Sequence, residues 1–552
     1  MKTTRRRALL AAGALAVTVL LGGCASIPTD GPVRRVAASG EPSASSQYVI
    51  NASGPVSGAS AEEIVRGFIA AGADAREGYA TARQYLTAAA AASWQPERTV
   101  QVVENLSAAA PQAQPDGSTA VAVSAHQIGA VDGNGVYSHT DAAVQISFGL
   151  EQVDGQWRIG AVPIGTMISR GNFQLVFAPH SLAFLTPARD ALVADVRWFP
   201  AGTSTSTRVV SALLQGPSDG FEGAVTTAFP AGTRLSIDSV VTTGETTTVS
   251  LTPEALNAGE RERQLMYAQL AATVAEVPGT GTVRVMVNNT EQRRPADTDL
   301  VGWPQLRASS VLAWGVDGIA PLDGSAGKGA LRDVLGVLPR GGSGAFAVSG
   351  SAGAVLGSQQ VRFASRTALS SPQPAAGAQS VQLDGSGWAW WADGRGVRAT
   401  TSAGGAVDLN GDRAFTRFAL APDGVRAAYL VATDAGTDVV FAAVRRSAAG
   451  VPIALSGDQT VATLSGAPGA LAWVGNSLAV STDAGDASTV SVVNGAQVTT
   501  TMTPLGPIAE LAGGRSGDSL RALTASGGVY SVRGTGWVRA ADNVSHIAYA
   551  WR

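Results

Sequence analysis

From Ser310 to Arg552 the chain repeats one unit, a short apolar strand followed by a tight turn. The strands read Val311-Leu-Ala-Trp314, Ala345-Phe-Ala-Val348, Gly387-Trp-Ala-Trp-Trp391, Arg417-Phe-Ala-Leu420, Arg426-Ala-Ala-Tyr-Leu430, Val439-Val-Phe-Ala-Ala443, Ala470-Leu-Ala-Trp473, Ser477-Leu-Ala-Val480 and Gly528-Val-Tyr530. Between them stand Asp317-Gly318, Asp323-Gly324, Asp384-Gly385, Asp393-Gly394, Asn410-Gly411, Asp423-Gly424 and Asn494-Gly495, dipeptides that adopt positive φ at low cost. No amphipathic helix of any length is expected here. A unit recurring over about 240 residues, at roughly 40 to 50 residues each, points to a β-propeller of five or six blades. Strand alternation sends neighbouring side chains to opposite faces. Trp388, Trp390 and Trp391 could stack a sugar, but the simpler expectation is that two face a blade's core and one its surface.

The other end of the chain is a targeting segment. Basic Met1-Lys-Thr-Thr-Arg-Arg-Arg7 precedes an apolar run from Ala8 to Leu21, then Gly22-Gly23-Cys24. These are the parts of an export signal, and the run falls short of the ~20 residues a membrane span needs. Leu21-Gly22-Gly23-Cys24 resembles a bacterial lipobox, and Cys24 is the only cysteine. That resemblance implies cleavage after residue 23, with S-diacylglycerol and N-palmitoyl groups on Cys24. The mature chain then sits on the extracytoplasmic face of the cell membrane, held by lipid. An uncleaved anchor, or a plain signal peptide with a chance cysteine, is the competing reading. With Cys24 lipidated, no thiol remains for a disulfide, a thiolate metal site or a nucleophile.

Composition narrows the classes. Hydrophobic residues make up 45% of the 552 and charged residues 15%, enough apolar surface for several cores. Net charge is −3, and a chain without a basic surplus is a poor nucleic-acid partner. Only Lys2 and Lys328 are lysines, so the basic chemistry is that of arginine.

Residues 24–57 lack any period of 2 or 3.6 and read as a flexible tether. Residues 58–170 open with Ser60-Ala-Glu-Glu63, a capping box ahead of a helix bearing Ile64, Val65, Phe68 and Ile69. Strands follow at Thr99–Val103, Ala120–Ser124 and Ala142–Phe148, with turns at Asp132-Gly133 and Asp154-Gly155. Helices followed by a meander resemble the cone-shaped NTF2-like α+β fold. His126, His139 and Asp141 are the polar candidates for a pocket in such a cone, and surface or strand positions are the simpler reading for them.

Residues 171–290 are expected to form a second α+β module. Short strands are read at Phe173–Phe177, Leu182–Leu185, Val193–Phe199, Leu235–Val241, Thr246–Leu251 and Thr282–Val287. Helices are read at Thr207–Leu214, stopped by Gly216-Pro217, and at Glu262–Glu276. Residues 291–309 are polar and read as a linker before the propeller at 310–552. A chain ending near Thr290 is accordingly expected to fold without the propeller.

Three sets of motifs carry family resemblances. Cys24-Ala-Ser-Ile-Pro-Thr-Asp-Gly-Pro-Val33 is similar to the start of the mature LpqB lipoproteins of actinobacterial envelopes. Leu214-Gln-Gly-Pro, Phe229-Pro-Ala-Gly-Thr, Val249-Ser-Leu-Thr, Gln269-Leu-Ala-Ala-Thr and Val277-Pro-Gly-Thr-Gly-Thr-Val-Arg-Val-Met-Val follow the order found in GerMN domains. Phe418-Ala-Leu-Ala-Pro-Asp-Gly-Val-Arg-Ala-Ala-Tyr429 is similar to the blade corner of TolB-type propellers. In this order the modules resemble the LpqB family. The resemblance implies an extracytoplasmic partner of the sensor histidine kinase MtrB, acting on the MtrA–MtrB two-component system and through it on cell-wall homeostasis and division.

Catalytic signatures are missing from the sequence. Gly327-Lys328 lacks the upstream glycine and the Ser/Thr of a phosphate-binding loop, and no Gly-x-Ser-x-Gly occurs. His126, His139, His180 and His546 show no metal spacing. Glu62-Glu63 and Glu260/Glu262 sit at helix starts, where they meet the positive end of the dipole. The reading is a non-enzymatic interaction protein without cofactor or metal. Its alternative is a binder of peptidoglycan or polysaccharide with no signalling role.

Overall fold

The computed structural model describes residues 52–551, except 116–117, 297–299, 305–310, 325–329, 339–343, 351, 367–368, 394–395, 403, 405, 410–414 and 496. Cys24, the signal segment, the tether up to residue 51 and the turn residues Gly394 and Asn410-Gly411 lie outside the described residues.

The N-terminal module begins as its capping box requires. Ser60 Oγ accepts from the Glu63 amide at 3.3 Å, and the Glu63 carboxylate accepts from the Ser60 amide at 2.8 Å. Helix α1 (Ala61–Ala71) buries Ile64, Val65 and Phe68. They pack on Val103, Val121, Val123, Phe148 and Ile159 of a curved sheet. Its strands β1 (Thr99–Ala108), β2 (Thr119–Asp132), β3 (Tyr137–Val153), β4 (Gln156–Ala161) and β5 (Thr166–Ser169) lie in the order β4-β3-β2-β1-β5.

A helix, not the expected strand, leads into the second module. Helix α2 (Arg170–Val176) is capped by Ser169, and its Phe173 and Val176 are buried three apart on one face. Strands β6 (Phe177–Leu185) and β7 (Leu192–Pro200) form a hairpin beneath helix α3 (Thr205–Gln215) and helix α4 (Glu260–Val274). The strand expected at Leu235–Val241 is reduced to an isolated bridge between Leu235 and Leu251 ahead of β8 (Val241–Thr243). Ile237 is 61% exposed there, so no apolar face drives pairing. Strands β9 (Thr246–Leu251) and β10 (Thr282–Val287) are parallel, with α4 as the crossover. The Gln269-Leu-Ala-Ala-Thr motif has a clear purpose. Gln269 and Thr273 lie one helical turn apart and satisfy both backbone groups of Ala183 on β6, at 2.8 and 2.9 Å. Leu300, Val301 and Trp303, read from sequence as linker, pack on this module's core, and Gly302 accepts from the Leu192 amide at 3.1 Å.

The propeller has six sheets among the described residues. Its innermost strands are His546–Ala548, Phe346–Ser349, Val381–Leu383, Arg417–Leu420, Ala467–Val474 and Ile508–Ala512, for blades one to six. The ring closes by chain exchange: His546–Ala548, from the far end of the chain, pairs with Leu312–Gly315 in blade one. The absence of helices is corrected here, and two of the three tryptophans are buried as expected but not for the expected reason. Helix α5 (Ala330–Val337) interrupts the strands, and Leu331, Val334 and Leu338 fill the core between blades one and two. Trp390 and Trp391 are both fully buried, one toward blade four and the other toward blade two. Alternation does send them to opposite faces, but a propeller blade buries both. Trp388 packs, half-buried, on the same core as Trp390.

The modules are not strung out on linkers. Tyr137, Phe173, Phe177 and Trp198 share one buried core with Ala419, Leu430 and Val461 of blade four and Trp473, Leu478 and Val480 of blade five. Gly495, at φ +58, lies so close that a Cβ there would stand 2.9 Å from the Trp198 indole nitrogen.

Candidate functional site

The innermost strands enclose a tunnel of about 400 Å3, and every residue lining it belongs to the propeller. Small side chains such as Ala347, Ala419, Ala472 and Ala512 leave it open. Its polar groups hold neighbouring blades together. On blade three, Gln382 donates to the Phe418 carbonyl of blade four at 3.0 Å and accepts from the Leu420 amide at 2.5 Å. On blade six, Glu510 accepts from the Ile547 amide at 2.9 Å and meets His546 Nδ1 at 2.5 Å, fastening the strand that closes the ring. At the entrance, the half-buried Arg417 donates to the Thr416 carbonyl. Burial holds its guanidinium below the usual arginine range, while the Asp483 carboxylate opposes that shift.

Two blade corners are locked by buried carboxylates. Asp423, in the Pro-Asp-Gly corner, accepts from the Val425 and Arg426 amides at 2.9 Å and from Arg426 Nε at 2.6 Å. Asp384 holds the same corner one blade earlier, accepting from the Ser386 and Trp388 amides at 2.9 Å. Both corners lie at the end of an innermost strand, whereas Arg417 lies at the beginning of one. Domain contacts gather at the corner end. Asn476, in blade five's corner, donates to Ser181 Oγ at 2.9 Å. Val425 packs in the core of the second module.

Of the residues singled out from sequence, His126, His139 and Asp141 gather on two paired strands, while His180 and His546 lie elsewhere. His126 Nε2 and Asp141 Oδ1 lie 2.6 Å apart, on exposed parts of β2 and β3. His139 is half-buried. Burial lowers its pKa, and Asp141 and Asp438 pull the other way. Near Phe68 and Ile146 the N-terminal module has a hollow of about 10 Å3, too small for a ligand. His180 is buried on β6, with no hydrogen bond of normal geometry to either ring nitrogen. No three His, Cys, Asp or Glu among the described residues are grouped to hold a metal ion. Sequence reasoning missed Glu510, Gln382 and the buried Asp195–Arg197 pair at 2.8 Å. Only the repeated Asp-Gly corners offered a signal, one that pointed toward Asp384 and Asp423.

The fold is that of a multidomain protein, two α+β modules packed against a propeller. The description "Lipoprotein LpqB, N-terminal domain" matches residues 54–174, "Sporulation and spore germination" (Germane) matches 181–293, and "Lipoprotein LpqB beta-propeller domain" matches 315–547. Lipoprotein LpqB of Cutibacterium acnes is 33% identical over 50% of this chain and 46% of that protein. Lipoprotein LpqB of Thermobifida fusca is 30% identical over 57% of this chain and 51% of that protein. The aligned stretches thus span about half the length of these curated relatives. Among solved structures, one titled as a nidogen/laminin complex covers 43% of this chain at 10% identity, with a TM-score of 0.32. The chain belongs to the LpqB lipoprotein family, which is not an enzyme family by name. No helix among the described residues is long and apolar enough to cross a membrane.

Proposed function

We propose that this lipoprotein is held by lipid on Cys24 at the extracytoplasmic face of the cell membrane. There it docks on the sensor histidine kinase MtrB, modulating the MtrA–MtrB system and with it cell-wall homeostasis and division. Family membership supports the envelope setting, and the kinase follows from the resemblance in the sequence. One observation favours the propeller as the docking element. Its corner end is occupied by the first two modules, while the residues lining its tunnel are all its own. The end where the innermost strands begin, around Arg417, is the rigid surface this leaves for a partner, and a noncatalytic propeller surface of that kind suits protein binding.

The test is capture of the kinase's extracytoplasmic domain by the full chain. Arg417→Glu reverses a charge at the tunnel entrance. It is expected to weaken capture while leaving the melting temperature within a degree or two. Capture at wild-type strength by Arg417→Glu and by a second charge reversal on the same rim would move docking to the first two modules.

A further inference from the structure

A second cavity, of about 220 Å3, lies where the N-terminal module meets the GerMN module. Domain joints are common places for small-molecule sites. In the tunnel, Gln382 and Glu510 are already committed to bonds between blades. This cavity presents polar groups that have no partner among the described residues.

Tyr79 is the first. It is only 2% exposed, and its side chain lines the cavity. Its hydroxyl makes no hydrogen bond to a described residue. Burial, and then the nearby Glu97 carboxylate, push the phenol up to about 12, so it remains an O–H that can donate and accept. The backbone that presents it is strained: Glu77, Gly78 and Tyr79 stand in succession at φ 49, 65 and 65. Non-glycine residues hold such angles only where their surroundings enforce them. Ser211 and Gln215 are the second and third. They lie one turn apart on α3, both line the cavity, and neither side chain bonds to a described residue.

The walls and charges narrow the ligand. Phe177 and Trp198 border the cavity with the small exposed parts, 8% and 3%, of rings otherwise packed in the core shared with the propeller. Arg208 is neutralised by Glu97 at 2.5 Å, a pair that spans the two modules. Asp132 and Asp238 add carboxylates to the lining, so an anion would meet repulsion. Small aromatic patches with uncharged hydroxyl and amide groups around them suit a sugar ring. The C–H face of a pyranose packs on an aromatic side chain, and its equatorial hydroxyls point outward to the polar rim. The volume suits one ring and not a chain of them.

We propose that this joint binds a single pyranose unit that carries no negative charge. The proposal does not depend on the docking partner. Titration calorimetry on the full chain in a sugar-free detergent tests it, with glucose, N-acetylglucosamine and glucuronate as probes. Saturable binding of at least one neutral sugar is expected, with none for glucuronate. Tyr79→Phe removes one hydrogen-bonding hydroxyl and should weaken binding by about tenfold. Ser211→Trp should fill the cavity and abolish binding, with its melting temperature reporting the fold. Should that variant fail to fold, Tyr79→Phe and Gln215→Ala decide, and wild-type affinity in both overturns the proposal. Absence of saturable binding by either neutral sugar overturns it too, as does glucuronate binding as tightly as glucose.

Discussion

Arg446 of blade four reaches back to blade three and sets its Nη2 2.5 Å from Oδ2 of Asp384, with both side chains almost wholly out of solvent. The same carboxylate oxygen takes the Trp390 indole N–H at 2.8 Å. One blade on, Arg426 pairs with Asp423 and lays its guanidinium 4.8 Å from the ring centre of Trp473 in blade five. The corners thus act as clasps between successive blades.

Removing one partner from such a clasp leaves the other charge buried and unpaired. Asp384→Ala is therefore expected to cost about 3–5 kcal/mol. The double change Asp384→Leu, Arg446→Met should cost clearly less, because both desolvation penalties vanish together. Urea denaturation of the single and double variants measures this. A double variant as unstable as the single would show that Arg446 is not the group being stranded.

Gly216 stops α3 at φ +107, and its carbonyl accepts from Arg197 Nη2 at 2.7 Å. A Cβ there would meet nothing within 4 Å, so strain alone sets the cost of a side chain. Gly216→Val should lose about 1–2 kcal/mol, read as a lower melting temperature of the full chain.

His180 gives the fold a pH dependence. Burial lowers its pKa from the ordinary 6.5, and the Glu276 backbone offsets this only in part. Below pH 6.5 the unfolded chain takes up a proton that the folded chain resists. Stability should therefore fall as the pH drops through and below that value, and be unaffected by this group above it. His180→Phe should flatten the slope of melting temperature between pH 7.5 and 5.5. His139, shifted the same way, leaves a residual slope.

The shared core of Tyr137, Phe173 and Trp198 with blades four and five changes the expectation for a chain cut near Thr290. Such a fragment exposes an apolar face that the propeller covers. It should bind a hydrophobic dye and melt well below the full chain. Dye binding and melting equal to those of the full chain would mean that the joint adds little stability.

Lipidation is tested at its one residue. Cys24→Ser removes the thiol and no described contact. The protein should leave the membrane fraction or accumulate as precursor, with unchanged melting of the folded part. Metabolic labelling with radioactive fatty acid should mark the wild type alone, and label in Cys24→Ser would count against the anchor.

Features encoded by neighbours in the chain are legible in the sequence alone. The Ser60–Glu63 box, the Gly216 stop and the Asp423-Gly424 corner each depend on φ, ψ and hydrogen bonds within a few residues, so residue type and spacing suffice. The repeat of such corners is enough to read a propeller. What the chain does not declare locally is who meets whom. Arg446 and Asp384 are 62 residues apart, and Gln459 donates to the Tyr137 carbonyl across 322. No periodicity marks such pairs, because they form only when closed blades and docked modules bring distant backbones together. The same holds for Trp390 and Trp391. Alternation places them on opposite faces, and only the ring of blades determines that both faces are interior. The cavity beside Tyr79 exists because two modules meet at a fixed angle. Phe173 and Trp198 pack beside that joint against the propeller, a meeting made by tertiary structure alone.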